Sequence, residues 1–424
     1  MSKLPYKEFS WISEEDGNDI NWKTIETESE FGYILEVNLK YPKHLHKLHS
    51  NFPLAPTTLQ ITENNLSPLM LEILINLEGK KSYKDKKLIG TFTDREHYIV
   101  HFKNLKLYLL LGMKLQKIHR ILKFKQAAFI APFIEKCTLL RQQSSTKFEQ
   151  DQFKKVANCV YGKTIQNTRN YIKVFLHTKR SSLLRAVSSI QFKNFTIIGE
   201  NLVQTTHSLD MIEHQSPIHI GFTILELSKH FMFDFYYNKL IKNLNCKLEL
   251  GMSDTDSFLF KVDDSLTFRK HIHQFMDYSN YPKNHLLYSE QNKSKLGYFK
   301  DELAGEYFCT EFVGLKAKCY ALLLENKTTL QSKEKKVCKG LGKVAIQNRL
   351  KFKHYKKCLF KGIHKRYDFH VIRSKEHKIS TIRINKKAIS YFDSKRWIYY
   401  CGIHSEPYGS VLIDNKRTLF CPKC

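Results

Sequence analysis

The chain has 424 residues, and its 69 lysines and arginines against 41 aspartates and glutamates give a formal net charge of +28. This length predicts two or three domains, or one large domain with lobes. A hydrophobic content of 42% is enough for a sizeable core, which excludes a disordered chain. The charge favours a polyanionic partner, either nucleic acid or an anionic membrane surface, although a lysine-rich surface also serves solubility alone.

Apolar segments are too short to cross a membrane. The longest runs, Leu107–Met113 and Ala127–Ile134, fall well short of the ~20 residues that a spanning helix needs. The N-terminal sequence MSKLPYKEFSW has no apolar core typical of a signal peptide. Because the ten cysteines are scattered singly, we expect reduced thiols in an intracellular protein, without distinguishing nucleus from cytoplasm.

The predicted elements follow a polar, acidic lead-in at residues 1–30. In chain order, the patterns predict a strand at 33–39 ending before Tyr41-Pro42, helices at 68–78, 105–121, 131–141 and 147–160, a strand at 195–199, a long helix at 217–244, a β-hairpin at 247–262, a strand pair at 312–324 and a lysine-rich helix near 333–360. The two helices at 131–141 and 147–160 form a helical hairpin. The class is therefore α+β with a helical projection.

The sharpest motif is Asp254-Thr255-Asp256-Ser257 at the apex of the predicted hairpin. Carboxylates at i and i+2 on an extended turn point the same way and can share divalent cations. Such oxygen ligands suit Mg²⁺, and two ions about 3.5–4 Å apart would stabilise the attacking and leaving oxygens of a phosphoryl transfer. Taken alone, the tetrapeptide is more often an ordinary aspartate-rich β-turn.

A second motif lies in FKKVANCVYGKT. On a helix, Lys154, Asn158 and Tyr161 share one face. The lysine can hold a triphosphate, the tyrosine can stack on a base pair, and Gly162 permits close approach of another backbone. Arg141 on the facing helix adds a second cation. Alone, this pattern is more typical of an amphipathic helix with a core tyrosine.

Three motifs in the same order resemble those of family B DNA polymerases. KKVANCVYG resembles K-x-x-x-N-S-x-Y-G with Cys159 for Ser, and GMSDTDSF resembles Y-x-D-T-D-S with Met252 for Tyr. Lys318-Cys319-Tyr320 resembles the K-x-Y motif that binds the primer strand in protein-primed members. Connecting stretches such as LELSKHFMFDFYYN are similar to the protein-primed organellar and viral, Polinton-like (Maverick) branch, and the resemblance spans about residues 5–404.

The resemblance implies a right-hand polymerase with an antiparallel-sheet palm, helical fingers and a small thumb, which adds nucleotides from dNTPs to a primer 3′-hydroxyl with two Mg²⁺ ions or Mn²⁺. Its partners would be template and primer DNA, dNTPs and a terminal priming protein, with no membrane. The implied roles are metal binding by Asp254 and Asp256 with Glu36 or Asn38, nucleotide binding by Lys154, Asn158, Tyr161, Gly162, Tyr41 and Arg141, and primer or DNA binding by Lys318, Tyr320, Thr255 and Ser257.

The first palm motif departs from the family. The spacing D-x-x-S-L-Y-P places its metal-binding carboxylate at Glu36, whereas the form D-L-x-Y-P places it at Asn38, which has no charge. Both positions lie on one face of a strand. If Glu36 serves, the two-metal site survives with a longer ligand. If Asn38 occupies the ligand position, activity should be low or absent.

The predicted domains follow from the resemblance. They are a lead-in (1–30), palm with the first metal motif (31–60), an insertion resembling the protein-priming insertion (61–120), fingers (121–170), palm with a second insertion and the DTD hairpin (171–305), thumb (306–404) and tail (405–424). Since some 30 residues precede the palm strand, we expect no 3′–5′ exonuclease domain, as in a polymerase domain cut out of a longer mobile-element protein.

A cysteine and histidine cluster closes the chain. Cys401-x-x-His404 and Cys421-x-x-Cys424 have ligand types and spacings compatible with tetrahedral zinc. The position of the last pair at the terminus, beyond the family resemblance, favours the interpretation without a metal.

Two alternatives to an active polymerase stay open. One is a catalytically degenerate remnant that binds nucleic acid through the same surface, with Asn38 as the discriminating residue. The other is a structural nucleic-acid-binding protein unrelated to polymerases, which the three ordered motifs disfavour.

Overall fold

The structure is a computed structural model that describes residues 2–79, 83–375, 378–413 and 421. The strands are β1 Leu4–Ile12, β2 Phe31–Lys40, β3 Thr57–Thr62, β4 Lys84–Ile89, β5 Arg95–His101, β6 Lys114–Ala127, β7 Lys173–His177, β8 Phe192–Gly199, β9 Leu202–His207, β10 Leu248–Asp254, β11 Ser257–Val262, β12 Met276–Asp277, β13 Phe299–Lys300, β14 Tyr307–Lys316, β15 Cys319–Asn326, β16 Ser332–Cys338, β17 Lys365–Lys375, β18 Lys378–Ile389, β19 Trp397–Ile398 and β20 Ser405–Glu406. The helices are α1 Glu14–Asp19, α2 His46–His49, α3 Pro68–Glu78, α4 Phe102–Leu110, α5 Ala131–Gln143, α6 Lys147–Thr164, α7 Arg180–Val187, α8 Ile218–Asp234, α9 Ser265–Ile272, α10 Lys343–Arg349 and α11 Phe352–Lys361.

The chain divides into two compact units. Unit 1 comprises Met1–Ala128, Leu225–Tyr367 and Asn385–Cys424, and unit 2 comprises Phe129–Ile224 and Asp368–Ile384. Within the described ranges, no helix is long and apolar enough to cross a membrane. The α+β class is confirmed as a mixture of helices and mainly antiparallel sheets, while the domain boundaries given above stay predictions.

The main sheet of unit 1 has the order β1-β6-β2-β5 and is antiparallel. Side chains alternate between the two faces of a strand, so β2 buries Leu35, Val37 and Leu39 in the core and turns Glu36 and Asn38 to the opposite face. This alternation explains why a strand that reads as continuously apolar also carries two polar residues. It places both candidate metal ligands of the first palm motif on one surface.

The hairpin of β10 and β11 is anchored by aromatic side chains. Phe258 packs against Phe52, Phe235 and Tyr236, with ring centroids 5.7, 6.2 and 5.8 Å away. Phe235 and Tyr236 belong to a π-helical segment, Phe235–Leu240, that continues α8. The wider turn of this segment directs bulky aromatic residues into the core, which fixes the base of the hairpin and leaves its tip exposed.

Unit 1 contains two further parts with their own buried residues. Strands β14, β15 and β16 form a three-stranded sheet on which α11 packs, burying Phe352, Tyr355 and Cys358. A separate core joins β3, β4 and α3 to the segment 397–413, and we call it the C-terminal cluster. Its buried members are Ile61, Leu66, Met70, Leu74, Ile89, Trp397, Tyr399 and Tyr408.

Unit 2 contains a helical hairpin and a sheet. Helices α5 and α6 contact each other, and the sheet has the order β7-β9-β8. Helix α6 begins at a capping box in which Thr146 accepts a hydrogen bond from the Glu149 amide and Glu149 reaches back to the amide of Thr146. The helical hairpin at 131–160 is therefore confirmed, and α6 extends to Thr164.

Several predicted elements differ from the structure. The helix predicted at 105–121 is wrong beyond Leu110, because Gly112 adopts a left-handed φ of 102° and the chain continues as β6. The long helix at 217–244 ends its α-helical part at Asp234. The lysine-rich helix near 333–360 is replaced by β16, α10 and α11, and the lead-in at 1–30 contains β1 and α1.

Candidate active site

The Asp-Thr-Asp-Ser motif occupies the two-residue turn between β10 and β11. Asp254 pairs with Ser257 across the hairpin, and its carbonyl accepts hydrogen bonds from the Asp256 amide at 2.7 Å and the Ser257 hydroxyl at 3.2 Å. Thr255 adopts a left-handed φ of 60°, a conformation that costs a β-branched residue about 1–3 kcal/mol. The turn therefore holds Asp254 and Asp256 at its tip at the expense of local backbone strain.

A second hairpin brings another motif to this tip. Lys318 lies in the turn between β14 and β15 with a φ of 57°. Its Nζ donates to both carboxylate oxygens of Asp254, at 2.8 and 2.7 Å. Tyr320 follows on β15, half-buried, with its ring 6.3 Å from that of Phe312. Two sequence motifs that are 64 residues apart thus meet in unit 1.

Comparisons with known proteins find a structural likeness to solved structures of Phi29 DNA polymerase. The chain resembles Phi29 DNA polymerase complexed with primer-template DNA, with a TM-score of 0.48, 14% identity and coverage of 91% of this chain and 54% of that one. The ternary complex of the same enzyme with incoming nucleotide matches at 0.48, with 14% identity and coverage of 92% and 55%. The chain therefore spans about half the length of these structures. No protein-family model and no curated protein matches the sequence.

Glu36 is held by two basic side chains from neighbouring strands. One carboxylate oxygen accepts from Arg120 Nε at 2.6 Å, and the other lies 2.7 Å from Nδ1 of His97. The hydrogen bonds from Arg120 and then from His97 hold the pKa of the Glu36 carboxyl below its ordinary value. Glu36 is therefore ionised but already paired.

The side-chain oxygen of Asn38 also has two hydrogen-bond partners. This Oδ1 atom accepts from the His97 amide at 2.9 Å and lies 2.8 Å from Nε2 of His119. The rings of His97 and His119 stack with centroids 4.0 Å apart. An aspartate at this position would keep both of these contacts and add a negative charge.

Carboxylates at the hairpin tip fit a divalent cation, since Mg²⁺ uses one or two carboxylates together with substrate phosphates. The complete donor set of a two-metal site is not assembled. Within the described part of the chain, Glu36 does not join Asp254 and Asp256 in a group of ligand atoms within 4.8 Å of one another. Asp254 must also exchange the Lys318 ammonium before it can bind a metal with both oxygens.

Tyr41, assigned to the nucleotide, lies in the core with 3% of its surface exposed. Its hydroxyl lies 2.8 Å from Nδ1 of His49 and accepts from the Leu54 amide at 3.2 Å. Burial raises the pKa of Tyr41 above its ordinary value and lowers the pKa of His49 to about 4. Tyr41 therefore connects the end of β2 to α2.

The remaining nucleotide-binding candidates lie in unit 2. Lys154 and Asn158 are exposed on α6, Tyr161 is half-buried on the same helix, and a Cβ added at Gly162 would meet no atom within 4 Å. Arg141 is half-buried in the last turn of α5. The predicted stripe on α6 is therefore helical along its whole length and largely open to solvent.

Sequence reasoning missed the partners of the first palm motif. Arg120, His97 and His119 reach Glu36 and Asn38 because β5 and β6 flank β2, with Arg120 directly opposite Glu36 in the register. An alternation of buried and exposed side chains along β6 would have identified it as a strand that can pair with β2. Bulges in the pairing of β2 with β6 interrupt that pattern.

Proposed function

We propose that the chain is a template-directed DNA polymerase domain of the protein-primed family B type. The primer 3′-hydroxyl attacks the α-phosphate of a dNTP, a new phosphodiester bond forms, and pyrophosphate leaves. Bound divalent cations would supply charge neutralisation at the attacking and leaving oxygens. Mg²⁺ is the expected ion, with Mn²⁺ as a substitute.

The observation that carries this proposal is the meeting of Lys318 with Asp254. The two residues belong to separate sequence motifs, one expected at the primer terminus and one at the metal. Their contact brings two motifs that were selected independently from the sequence to one place in unit 1. The net charge of +28 is consistent with DNA as the partner.

Each residue then has a stated task. Asp254 and Asp256 would hold the cation, and Lys318, which donates to Asp254 in the structure, would bind the primer phosphate. Tyr320, Thr255 and Ser257 contact the primer strand near the hairpin tips. The triphosphate and the base would contact residues of α6 and α5, namely Lys154, Asn158, Tyr161, Gly162 and Arg141. Tyr41 would support the sugar-binding surface from within the core.

Primer extension on a DNA template with Mg²⁺ or Mn²⁺ tests the proposal. We expect slow incorporation that Asp256→Asn abolishes, since the substitution removes a metal-binding charge from the tip. Glu249→Gln is the matched control, because Glu249 is a carboxylate on β10 that pairs with the surface lysines Lys247 and Lys261. Extension by the Asp256→Asn variant at the native rate would contradict the metal assignment.

The second candidate function is a degenerate polymerase that binds DNA without efficient catalysis. Asn38 and the full pairing of Glu36 by Arg120 and His97 favour it. Binding of primer-template DNA with no incorporation in either metal, by a protein that shows a native thermal transition, would select this candidate.

A further inference from the structure

Three metal-ligand side chains meet in the C-terminal cluster. Sγ of Cys401, a ring nitrogen of His404 and Sγ of Cys421 all lie within 4.8 Å of one another. Over the residues that the structure describes, this is the single group of three or more Cys, His, Asp or Glu side chains that is close enough to hold a metal ion. Cys424, the fourth member of the sequence motif, lies outside the described residues.

The distances agree with a tetrahedral ion. Bond lengths of about 2.3 Å to sulfur and about 2.0–2.1 Å to nitrogen place two such ligand atoms about 3.6 Å apart at the tetrahedral angle. Nδ1 of His404 lies 3.6 Å from Sγ of Cys401 and 3.2 Å from Sγ of Cys421. The same nitrogen therefore faces both sulfurs, as it would across a shared cation.

Ordinary hydrogen bonding accounts less well for this arrangement. A neutral imidazole nitrogen has either one N–H or one lone pair, so it cannot make a good hydrogen bond to two thiols at once. Cys401 also accepts a hydrogen bond, from the His404 amide at 3.4 Å. An N–H donor aimed at the sulfur stabilises the thiolate form, which is the form that binds metals.

The local backbone holds the first two ligands in place. Strands β19 and β20 form a short antiparallel pair, and the Tyr399 amide donates to the His404 carbonyl at 3.0 Å. Gly402 turns the chain with a φ of 72°, a conformation that glycine adopts without strain. This turn brings Cys401 and His404, three residues apart, to the same side.

The third ligand, Cys421, lies 17 residues after His404 in the sequence. Cys401 and Cys421 both pack against the C-terminal cluster, and all three ligand residues are half-buried. A cation there would lie beside this hydrophobic cluster. Its ligands would join the β19–β20 turn to Cys421.

We propose that Cys401, His404 and Cys421 bind one structural Zn²⁺ ion that fastens Cys421 to the β19–β20 turn. Mixed sulfur and nitrogen ligands select zinc over Mg²⁺ and Ca²⁺, which take oxygen. The site is separate from the hairpin tip that carries Asp254 and Asp256 and does not depend on the polymerase proposal.

The test is metal content of the full chain, purified without a metal-affinity tag after growth with added Zn²⁺. We expect about one zinc per chain by mass spectrometry of the metal. His404→Ala and Cys421→Ser should reduce this content by about tenfold or more, as removal of one ligand weakens such sites. Cys246→Ser is the matched control, because Cys246 is a half-buried cysteine outside the cluster, and it should leave the content unchanged.

A conservative variant separates metal binding from misfolding. His404→Cys replaces the nitrogen ligand with a sulfur ligand that zinc accepts equally well, so it should retain zinc where His404→Ala does not. A purified native chain with no zinc that also fails to bind added Zn²⁺ would overturn the proposal. Equal zinc content in His404→Ala and the native chain would overturn it as well.

Discussion

At the scale of single residues, Glu36 and Asn38 provide a test of the two interpretations of the first palm motif. Both oxygens of Glu36 are occupied by Arg120 and His97, whereas Asn38 has the position and hydrogen bonds of an aspartate without its charge. We infer that position 38 is the ligand position and that its missing charge limits activity.

Asn38→Asp should therefore raise the rate of primer extension by about tenfold or more, which corresponds to about 1.4 kcal/mol of transition-state stabilisation. Glu36→Gln should leave the rate within about twofold. The control is Asn326→Asp, since Oδ1 of Asn326 also has two hydrogen-bond partners, both of them backbone amides. A fall in activity in Glu36→Gln together with no gain in Asn38→Asp would assign the role to Glu36.

His49 gives a prediction on pH. It has no exposed surface, and its pKa is lowered to about 4 by burial and then by the nearby His46 and His44. The unfolded chain binds a proton at this histidine at about pH 6.5, so the folded state is favoured above that pH and loses this advantage as the pH falls toward 4. The resulting drop in stability is on the order of 3 kcal/mol, at about 1.4 kcal/mol per pKa unit.

Urea unfolding near pH 7 and near pH 4.5 measures the effect. His49→Gln keeps an acceptor for the Tyr41 hydroxyl but does not titrate, so its free energy of unfolding should fall less over this interval than that of the native chain. His214→Gln removes an exposed histidine that is not among the groups acting on His49 and should keep the native pH dependence. Identical pH profiles for His49→Gln and the native chain would show that His49 is not the responsible group.

At the scale of elements, the two hairpin tips are joined by a weak ion pair between Lys318 and Asp254, which a divalent cation can replace. The side chains of Lys318 and Asp254 are 47% and 37% exposed, so their ion pair is worth at most about 1 kcal/mol. A divalent cation can displace an ammonium at that cost. The hairpins therefore hold Asp254 in place without closing it to metal.

Lys318→Met should tighten binding of Mn²⁺ to the hairpin tip by up to about fivefold, because the cation no longer competes with the ammonium. Electron paramagnetic resonance of free Mn²⁺ measures the affinity. Lys356→Met is the matched control, since Lys356 makes a similarly exposed ion pair with Glu311. Unchanged or weaker Mn²⁺ binding in Lys318→Met would contradict the competition.

Prediction of helices and strands from the sequence succeeded where the spacing of apolar residues follows a single period and turn or capping residues mark both ends. The hairpin at 247–262 appears as β10 and β11, and the helix at 68–78 appears as α3, which begins at the Ser67 cap and ends at Gly79. It failed at 105–121 because leucines spaced three and four apart continue past Gly112 into a bulged strand. Over so few residues, the spacing of apolar side chains in a bulged strand cannot be distinguished from the spacing in a helix.

Only those residues of the candidate site that belong to short sequence motifs could be predicted from the sequence. Asp254, Asp256 and Lys318 could be selected from the sequence because each belongs to a short pattern with a chemical purpose. Arg120 and His97 could not, since their contact with Glu36 depends on the order and register of β5, β2 and β6. Pairing across distant strands is set by tertiary packing, which a local pattern does not encode.

At the scale of the whole molecule, the excess of positive charge should govern DNA affinity. Helix α11 illustrates the arrangement, with exposed Lys353, Lys357 and Lys361 opposite its buried face. A protein that neutralises six to ten phosphates weakens in affinity by about 10³–10⁵ between about 50 and 200 mM salt.

Fluorescence anisotropy with primer-template DNA should show a decrease in affinity of at least about a thousandfold over this range. Replacing Lys353, Lys357 and Lys361 together with glutamine should reduce the slope of log affinity against log salt by about one for each phosphate that these lysines neutralise in the native complex. A change of less than tenfold in the native chain would contradict a phosphate-dominated interface.

The position of β1 has a consequence for synthesis of the chain. Leu4 pairs with Ala127, so β1 lies at the edge of the main sheet beside a strand that the ribosome completes much later. Until then β1 is an unpaired strand that carries Tyr6, Phe9 and Trp11, all exposed even in the folded protein. Unpaired apolar strands promote association between nascent chains. Slower translation of the segment from β1 to the end of β6 would prolong this interval and lower the yield of folded protein.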